Sequence, residues 1–470
     1  MSQDFLGAEF NVKLFDFVIT KNDVLNDQVG LSTFVIFGNW KMYYSTLTPL
    51  LKHSTSSGAE YYFLGTVFEL DMVKPTNSIG HYIGIEFNIA SDSLRIFRSR
   101  NSFLGIYFSA SEKSPFFWGN FFRTKQLVAP VIDSHKIETF FAEGIVSGGS
   151  TLFTGIHQLG FQKQAVVKEG LVTEESEPSL KTDSPLSLSA EQFLNFTMER
   201  FAQWFKYCPY NSIAVSGGAD SRLLLATLNS YPLGKEFTLH SRCHPQLNPS
   251  EDADVFIAKQ SAEIVGRKHS VQLSQGFPSA YLSQEPPAVA PVLSGLYGGE
   301  LLGGELLQLV SKTRLKKEDE NSFAEAISIS AQMFICDFYG GAWSLCSAHH
   351  NLTLTPYWDS YFVASLLQTP TYVIKKYSLM AQMYEHLPSL LKELPFVSVF
   401  TDYHPKWKKS LTGINPKSLK RTQLGTVLPT SWLKHKNHLS DQVYTQRAET
   451  LWFYFKAFYG LSDKDLLSLL

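Results

Sequence analysis

Ile213-Ala214-Val215-Ser216-Gly217-Gly218-Ala219-Asp220-Ser221-Arg222 is the stretch whose reading decides the fold. An apolar run suited to a short strand ends in Ser-Gly-Gly. Asp220 and Ser221 then open a helix whose apolar spacing continues over Arg222–Ser230. Glycines let backbone amides approach an anion closely, because no Cβ stands in between. The helix N-terminus adds N–H donors and a partial positive charge. Ser216 and Ser221 can donate hydroxyl hydrogen bonds. Asp220 is an acid beside an anion site, and holding a magnesium ion that bridges phosphate oxygens gives it a reason to be there. The three residues Ser-Gly-Gly alone mean less. Ser147-Gly148-Gly149 has no Asp-Ser after it and reads as a plain turn.

Outward from this stretch, helix and strand alternate. Glu191–Phe205 has helical periodicity, Ser212–Val215 is a short strand, Phe237–His240 a second strand and Asp254–Val265 a second helix. Strand, turn and helix repeated in this order predict a parallel α/β sheet with a site at the strand ends. The first ~160 residues differ: aromatic and β-branched runs at Val29–Trp40, Tyr61–Leu70, His81–Ala90 and Leu94–Phe97 are bounded by turn residues and predict sheet. Ser91-Asp92-Ser93 reads as a hairpin turn, and Asp133 or Ser134 as the cap of a helix over Ser134–Glu143. Lys168–Glu191 is dense in Glu, Ser, Thr, Lys and Pro, so it reads as a solvated linker carrying the domain boundary. Two units follow, 1–175 and 190–470. Beyond Asn321 the pattern is mainly helical.

A chain of 470 residues suffices for two or three domains. Apolar residues at 44% and charged residues at 18% exclude a disordered chain. A net charge of −2 removes the main argument for nucleic-acid binding. The four cysteines, Cys208, Cys243, Cys336 and Cys346, form no CxxC pair, so neither a zinc site nor a disulfide framework is expected. Residues 1–10 lack a signal-peptide pattern, and no apolar run reaches the ~18 residues of a membrane helix. The expectation is a soluble cytoplasmic protein with no membrane partner.

The Ser-Gly-Gly-Ala-Asp-Ser stretch resembles the pyrophosphate loop of the asparagine synthetase family, which belongs to the PP-loop ATP pyrophosphatases. Asp254-Val255-Phe256-Ile257-Ala258, Val292-Leu293-Ser294-Gly295 with Gly298-Gly299-Glu300, and Thr355-Pro356-Tyr357-Trp358-Asp359 resemble its later segments. Leu94–Arg98 and Thr151–Ile156 are similar to the end of its glutaminase half. The resemblance implies an N-terminal Ntn-hydrolase-like αββα sandwich followed by a PP-loop, adenine nucleotide alpha hydrolase-like parallel sheet with added helices. It implies that Ser216, Gly217, Gly218, Asp220 and Ser221 bind the pyrophosphate of ATP with Mg²⁺. Val215, Leu239, Ser294 and Gly295 would line the adenosine pocket, and Lys436 would steady the charged transition state.

The chain departs from the family at three places. Ser2 follows Met1 where the family has its catalytic Cys, and no Cys precedes Cys208, so glutaminase activity is expected to be absent. Leu296 and Gly299 replace acids of the second loop, leaving Glu300 as the substitute metal ligand beside Asp220. Leu354 stands where the family has Arg. The reading that follows is an AMP-forming amide ligase. It would activate a small-molecule or peptide carboxylate as an acyl-adenylate for attack by ammonia or a substrate amine, with the N-terminal unit kept as scaffold or partner-docking surface. The alternative is a non-catalytic nucleotide- or partner-binding paralogue. Chemistry on nucleic acid, such as tRNA thiolation, would want paired cysteines and a basic surface. His240 reads as a strand-end residue, His349-His350 and His435/His438 as surface or packing histidines, and Phe116-Phe117-Trp118 as core.

Overall fold

The computed structural model describes residues 16–21, 31, 33–46, 48–56, 58–99, 104–109, 115–119, 123–177, 189–207, 212–231, 236–243, 248–250, 252–273, 292–295, 298–302, 338–339, 353–359, 362–363, 365–366, 378–387, 390–394, 429–459 and 461–470. Within them the molecule is mixed α/β, with two six-stranded antiparallel sheets ahead of a five-stranded parallel one. Leu296, the pair His349-His350 and most of the helical region beyond Asn321 lie outside the described residues.

Alternation along the early strands builds the first two sheets into facing layers. In the strand Phe17–Thr20, Phe17 and Ile19 turn toward a core shared with Tyr62, Leu64, Ile83 and Ile96 of the second sheet. Val18 turns the other way, with Tyr107 and Trp118, toward helices. In Ala59–Glu69, Tyr62 and Leu64 face the shared core, while Tyr61 and Phe63 sit in a separate outer cluster with Tyr82 and Phe97. This is the period-2 consequence of a pleated strand buried on both faces. The hairpin expected at Ser91–Ser93 is present: Ile79–Asn88 pairs antiparallel with Ser93–Arg98, Asn88 opposite Ser93. Asp133, rather than Ser134, caps the helix Ser134–Glu143, its carboxylate accepting the amides of His135 and Lys136. Ser147–Gly149 is the plain turn its sequence suggests, and Phe117 and Trp118 are core residues.

The stretch expected to be a linker is a strand for part of its length. Leu171–Ser176 pairs residue for residue with Lys163–Lys168 at the edge of the second sheet. Five of its six side chains are exposed and only Val172 packs against the core, so it carries none of the apolar alternation by which a strand is recognised.

The helical layer on the first sheet comes from two distant parts of the chain. Ile137, Phe140 and Phe141 of Ser134–Glu143 join Leu451, Trp452 and Phe455 of the helix Asp441–Tyr459 in one cluster with Val18, Tyr107 and Trp118. The last helices, which the sequence groups with the second unit, thus share a core with the first. His435 is a packing residue, its ring stacked on Phe141 at 4.4 Å. No helix among the described residues is long and apolar enough to cross a membrane. Phe455→Ala should destabilise this cluster by about 3–5 kcal/mol. Because Trp118, Trp432 and Trp452 all lie in the cluster, urea unfolding followed by tryptophan fluorescence reads the effect directly. An unchanged midpoint would mean the C-terminal helices do not support the first sheet.

Candidate active site at the parallel sheet

The parallel sheet runs in the order His269–Leu273, Thr238–Cys243, Ser212–Ala214, Val292–Ser294, Thr353–Leu354. From the central Ser212–Ala214 the chain moves outward on one side for two strands and then returns to the other side for two more. The order therefore reverses between Ser212–Ala214 and Val292–Ser294, where Ala214 pairs with Ser294. In open α/β sheets such a reversal leaves a crevice at the carboxyl ends of the strands. The Ser216–Ser221 turn leaves the first of these strands at that point, and Ser294-Gly295 leaves the second.

The turn is held from within. Ser216 N–H donates to Ser221 Oγ at 3.0 Å, the two hydroxyl oxygens lie 3.1 Å apart, and Gly218 N–H donates to Ser216 Oγ at 3.2 Å. Gly218 is the N-cap of the helix Ala219–Ser230 and supplies no capping side chain. The first amides of a helix have no intrahelical acceptor, and with the helix dipole they favour an anion at this end.

Longer contacts fix the turn from outside. Arg222, wholly buried, donates through Nη2 to Gly217 O at 3.0 Å and through Nη1 to Leu394 O at 2.7 Å. Tyr357 Oη donates to Asp220 O at 2.9 Å, and Tyr384 Oη to Ala219 O at 2.6 Å. Gly217 N–H donates to Asp254 Oδ1 at 2.8 Å. The second loop presses on the same helical turn. A Cβ on Gly295 would stand 2.5 Å from Ser221 N and Cα, and one on Gly298 would stand 2.8 Å from Asp220 Cβ. Only glycine fits at either place.

Burial, with a smaller push from Asp252, raises the Asp254 carboxyl above the ordinary carboxylate range, and the Gly217 hydrogen bond opposes it. Burial likewise drives the phenols of Tyr357 and Tyr384 upward, so both stay protonated donors. Among the described residues no three His, Cys, Asp or Glu side chains form a ready-made metal cage. The donor set still suits magnesium, which binds through one or two carboxylates while taking its remaining ligands from phosphates and water. Asp220, at the second position of the helix, is the carboxylate of the turn that could hold such an ion.

Of the residues expected from sequence, the fold brings Val215, Ser216, Gly217, Gly218, Asp220, Ser221, Ser294 and Gly295 to the two loops at the strand ends. Leu239 is wholly buried in the core of the sheet. Glu300 lies on the short helix Gly298–Leu302, two residues after Gly298, with its side chain outside the described set. Lys436 is exposed and ion-paired with Asp441 at 3.5 Å. Its turn packs against the helices Ser134–Glu143 and Asp441–Tyr459. His240, expected at a strand end, lies inside the strand Thr238–Cys243, its Nδ1 2.9 Å from Ser212 Oγ. The sequence reading did not single out Arg222, Asp254, Tyr357 or Tyr384 as parts of the loop. Each acts on the loop's backbone, and only Arg222 is near it in the chain.

Because the Asp254 carboxyl binds its proton more tightly in the folded protein, it stabilises the fold below the ordinary carboxyl range, and that contribution is lost as pH rises through the raised value. Asp254→Asn keeps an oxygen for Gly217 N–H and removes the titration. The variant should gain stability relative to the wild type as pH rises from about 4, the ordinary carboxyl value, through the raised value, read by urea unfolding. A difference constant with pH would exclude Asp254 as the cause. Neither a protein-family model nor a curated protein sequence matches the chain.

Proposed function

We propose that the protein is an ATP-dependent, AMP-forming amide ligase of the asparagine synthetase type, working without a glutaminase of its own. The observation that carries the reading is the Ser216–Ser221 turn at the reversal point of a parallel sheet, its glycine cap open and its backbone held from three directions. Such a turn suits the pyrophosphate of ATP: amides and the helix dipole supply positive potential, and Ser216 and Ser221 supply hydroxyls. Magnesium, held by Asp220 and supplemented by Glu300, would offset phosphate charge when bound.

In the proposed reaction a carboxylate oxygen attacks the α-phosphorus, the bond to the bridging oxygen breaks, and pyrophosphate leaves. An amine or ammonia then attacks the acyl carbon of the adenylate and AMP departs with the electron pair. The carboxylate is a small molecule or a peptide. The N-terminal sheets serve as scaffold or docking surface in a soluble cytoplasmic enzyme.

Gly299 in place of an acid and Lys436 paired with Asp441 favour a second reading, a paralogue that binds nucleotide and does not turn it over. Purified protein incubated with Mg²⁺, α-labelled ATP and boiled small-molecule extract of the host distinguishes the two. The ligase releases labelled AMP, and Asp220→Ala lowers that release by about 10²-fold or more. Binding of Mg-ATP with no AMP supports the paralogue. Labelled ADP as the product contradicts the α-phosphorus mechanism.

A further inference from the structure

Two phenols reach the first turn of the helix that follows the Ser-Gly-Gly stretch, and both end on backbone carbonyls. Tyr384, from the helix Ser378–Glu385, donates to Ala219 O at 2.6 Å. Tyr357, from the 3-10 turn Pro356–Trp358, donates to Asp220 O at 2.9 Å. The peptide unit that owns the Ala219 carbonyl also owns the Asp220 N–H, and the unit that owns the Asp220 carbonyl owns the Ser221 N–H. These are first-turn amides of a helix whose cap residue offers no side chain. A carbonyl has two lone pairs, so each can accept a phenol in addition to the helical N–H four residues on. Hydrogen bonds in such a chain polarise one another, and a donor at the carbonyl makes the amide on the other side of the same peptide a stronger donor.

We infer that Tyr357 and Tyr384 are positioning residues for the anion cradle, polarising and orienting the Asp220 and Ser221 amides toward a bound phosphate group. The inference rests on the nucleotide reading proposed above. Both rings are buried, in a setting that leaves little room to move. Tyr357 makes edge-to-face contacts with Phe201 at 4.9 Å and Phe362 at 5.7 Å. A Cβ on Gly298 would meet its ring at 2.9 Å. Burial also keeps both phenols protonated through the physiological range, so the donors persist wherever the protein works. Neither hydroxyl touches the reacting atoms. Their effect passes through the two peptides.

The test uses Tyr357→Phe, Tyr384→Phe and the double variant in the full chain, which keep the rings and remove only the hydroxyls. The first readout is the amide proton shift, taken without nucleotide. The Asp220 resonance should move upfield in Tyr384→Phe and the Ser221 resonance in Tyr357→Phe, each leaving the other in place. Amide shifts that stay put overturn the inference. The second readout is calorimetric affinity for Mg-ATP and for AMP. Each hydroxyl lost should weaken Mg-ATP about fivefold while AMP changes by less than about twofold, the size expected from one hydrogen bond. Equal weakening of both nucleotides marks general damage to the helix and overturns the cradle role. A wild type that binds no Mg-ATP overturns the nucleotide reading and the cradle role with it. Wild-type binding that the double variant retains in full overturns the cradle role alone.

Discussion

The backbone of Gly295 lies so close to the first turn of the helix Ala219–Ser230 that a single added carbon would collide with Ser221 N and Cα at 2.5 Å. That approach follows from sheet order. Only because Val292–Ser294 returns to pair beside Ser212–Ala214 do the two loops leave the sheet next to each other, with the crevice between them. Everything else at the site serves this juxtaposition. Arg222 holds the turn through Gly217 O, Asp254 holds it through Gly217 N–H, and two phenols hold the helix start. A loop fixed at so many backbone atoms has little conformational freedom left to lose when an anion arrives, which is what preorganisation means energetically.

The same constraint reaches the N-terminal sheets. Asp359, next but one to Tyr357, is buried and accepts from Arg200 Nε at 3.0 Å, Arg200 Nη2 at 2.7 Å and Trp204 Nε1 at 2.9 Å. Both partners belong to the helix Ala190–Tyr207, and Trp204 meets Phe68 of the second antiparallel sheet edge to face at 5.1 Å. His81 of the same sheet lies 5.9 Å from Trp204, and burial lowers its pKa to about 3, so it stays neutral. Breaking a buried ion pair of this kind leaves one charge uncompensated, so the pair holds its two elements together. Here it fixes the turn that carries Tyr357 to the helix lying on the second sheet. The N-terminal sheets thereby have a structural part in the site.

What was legible in the sequence was local. The strand, the Ser-Gly-Gly turn and the acid-bearing helix start occupy one stretch of ten residues, and each carries its own signal. Asp133, Ser91–Ser93 and the alternating early strands were readable for the same reason. What was not legible depended on partners far away in the chain. Val292–Ser294 has three residues and Thr353–Leu354 two, too short for any periodicity, yet they set the order of the sheet. Leu171–Ser176 lacks apolar alternation because only Val172 meets the core. Tyr384 lies 165 residues from the carbonyl it holds, and Phe455 packs against the sheet formed by the first strands. Nothing local distinguishes such residues from ordinary core. Lys436 is the converse case, singled out by resemblance and placed on an exposed turn beside Asp441.

The central claim is that the turn Ser216–Ser221 cradles the phosphates of a nucleotide whose adenosine side lies at the loop from Ser294. Amide hydrogen exchange of the full chain, with and without saturating Mg-ATP, tests it most directly. The account predicts slowed exchange at both loops together, over 216–222 and at 294–295, since one ligand spans them. Protection confined to another part of the chain, or none at either loop with Mg-ATP bound, would contradict it.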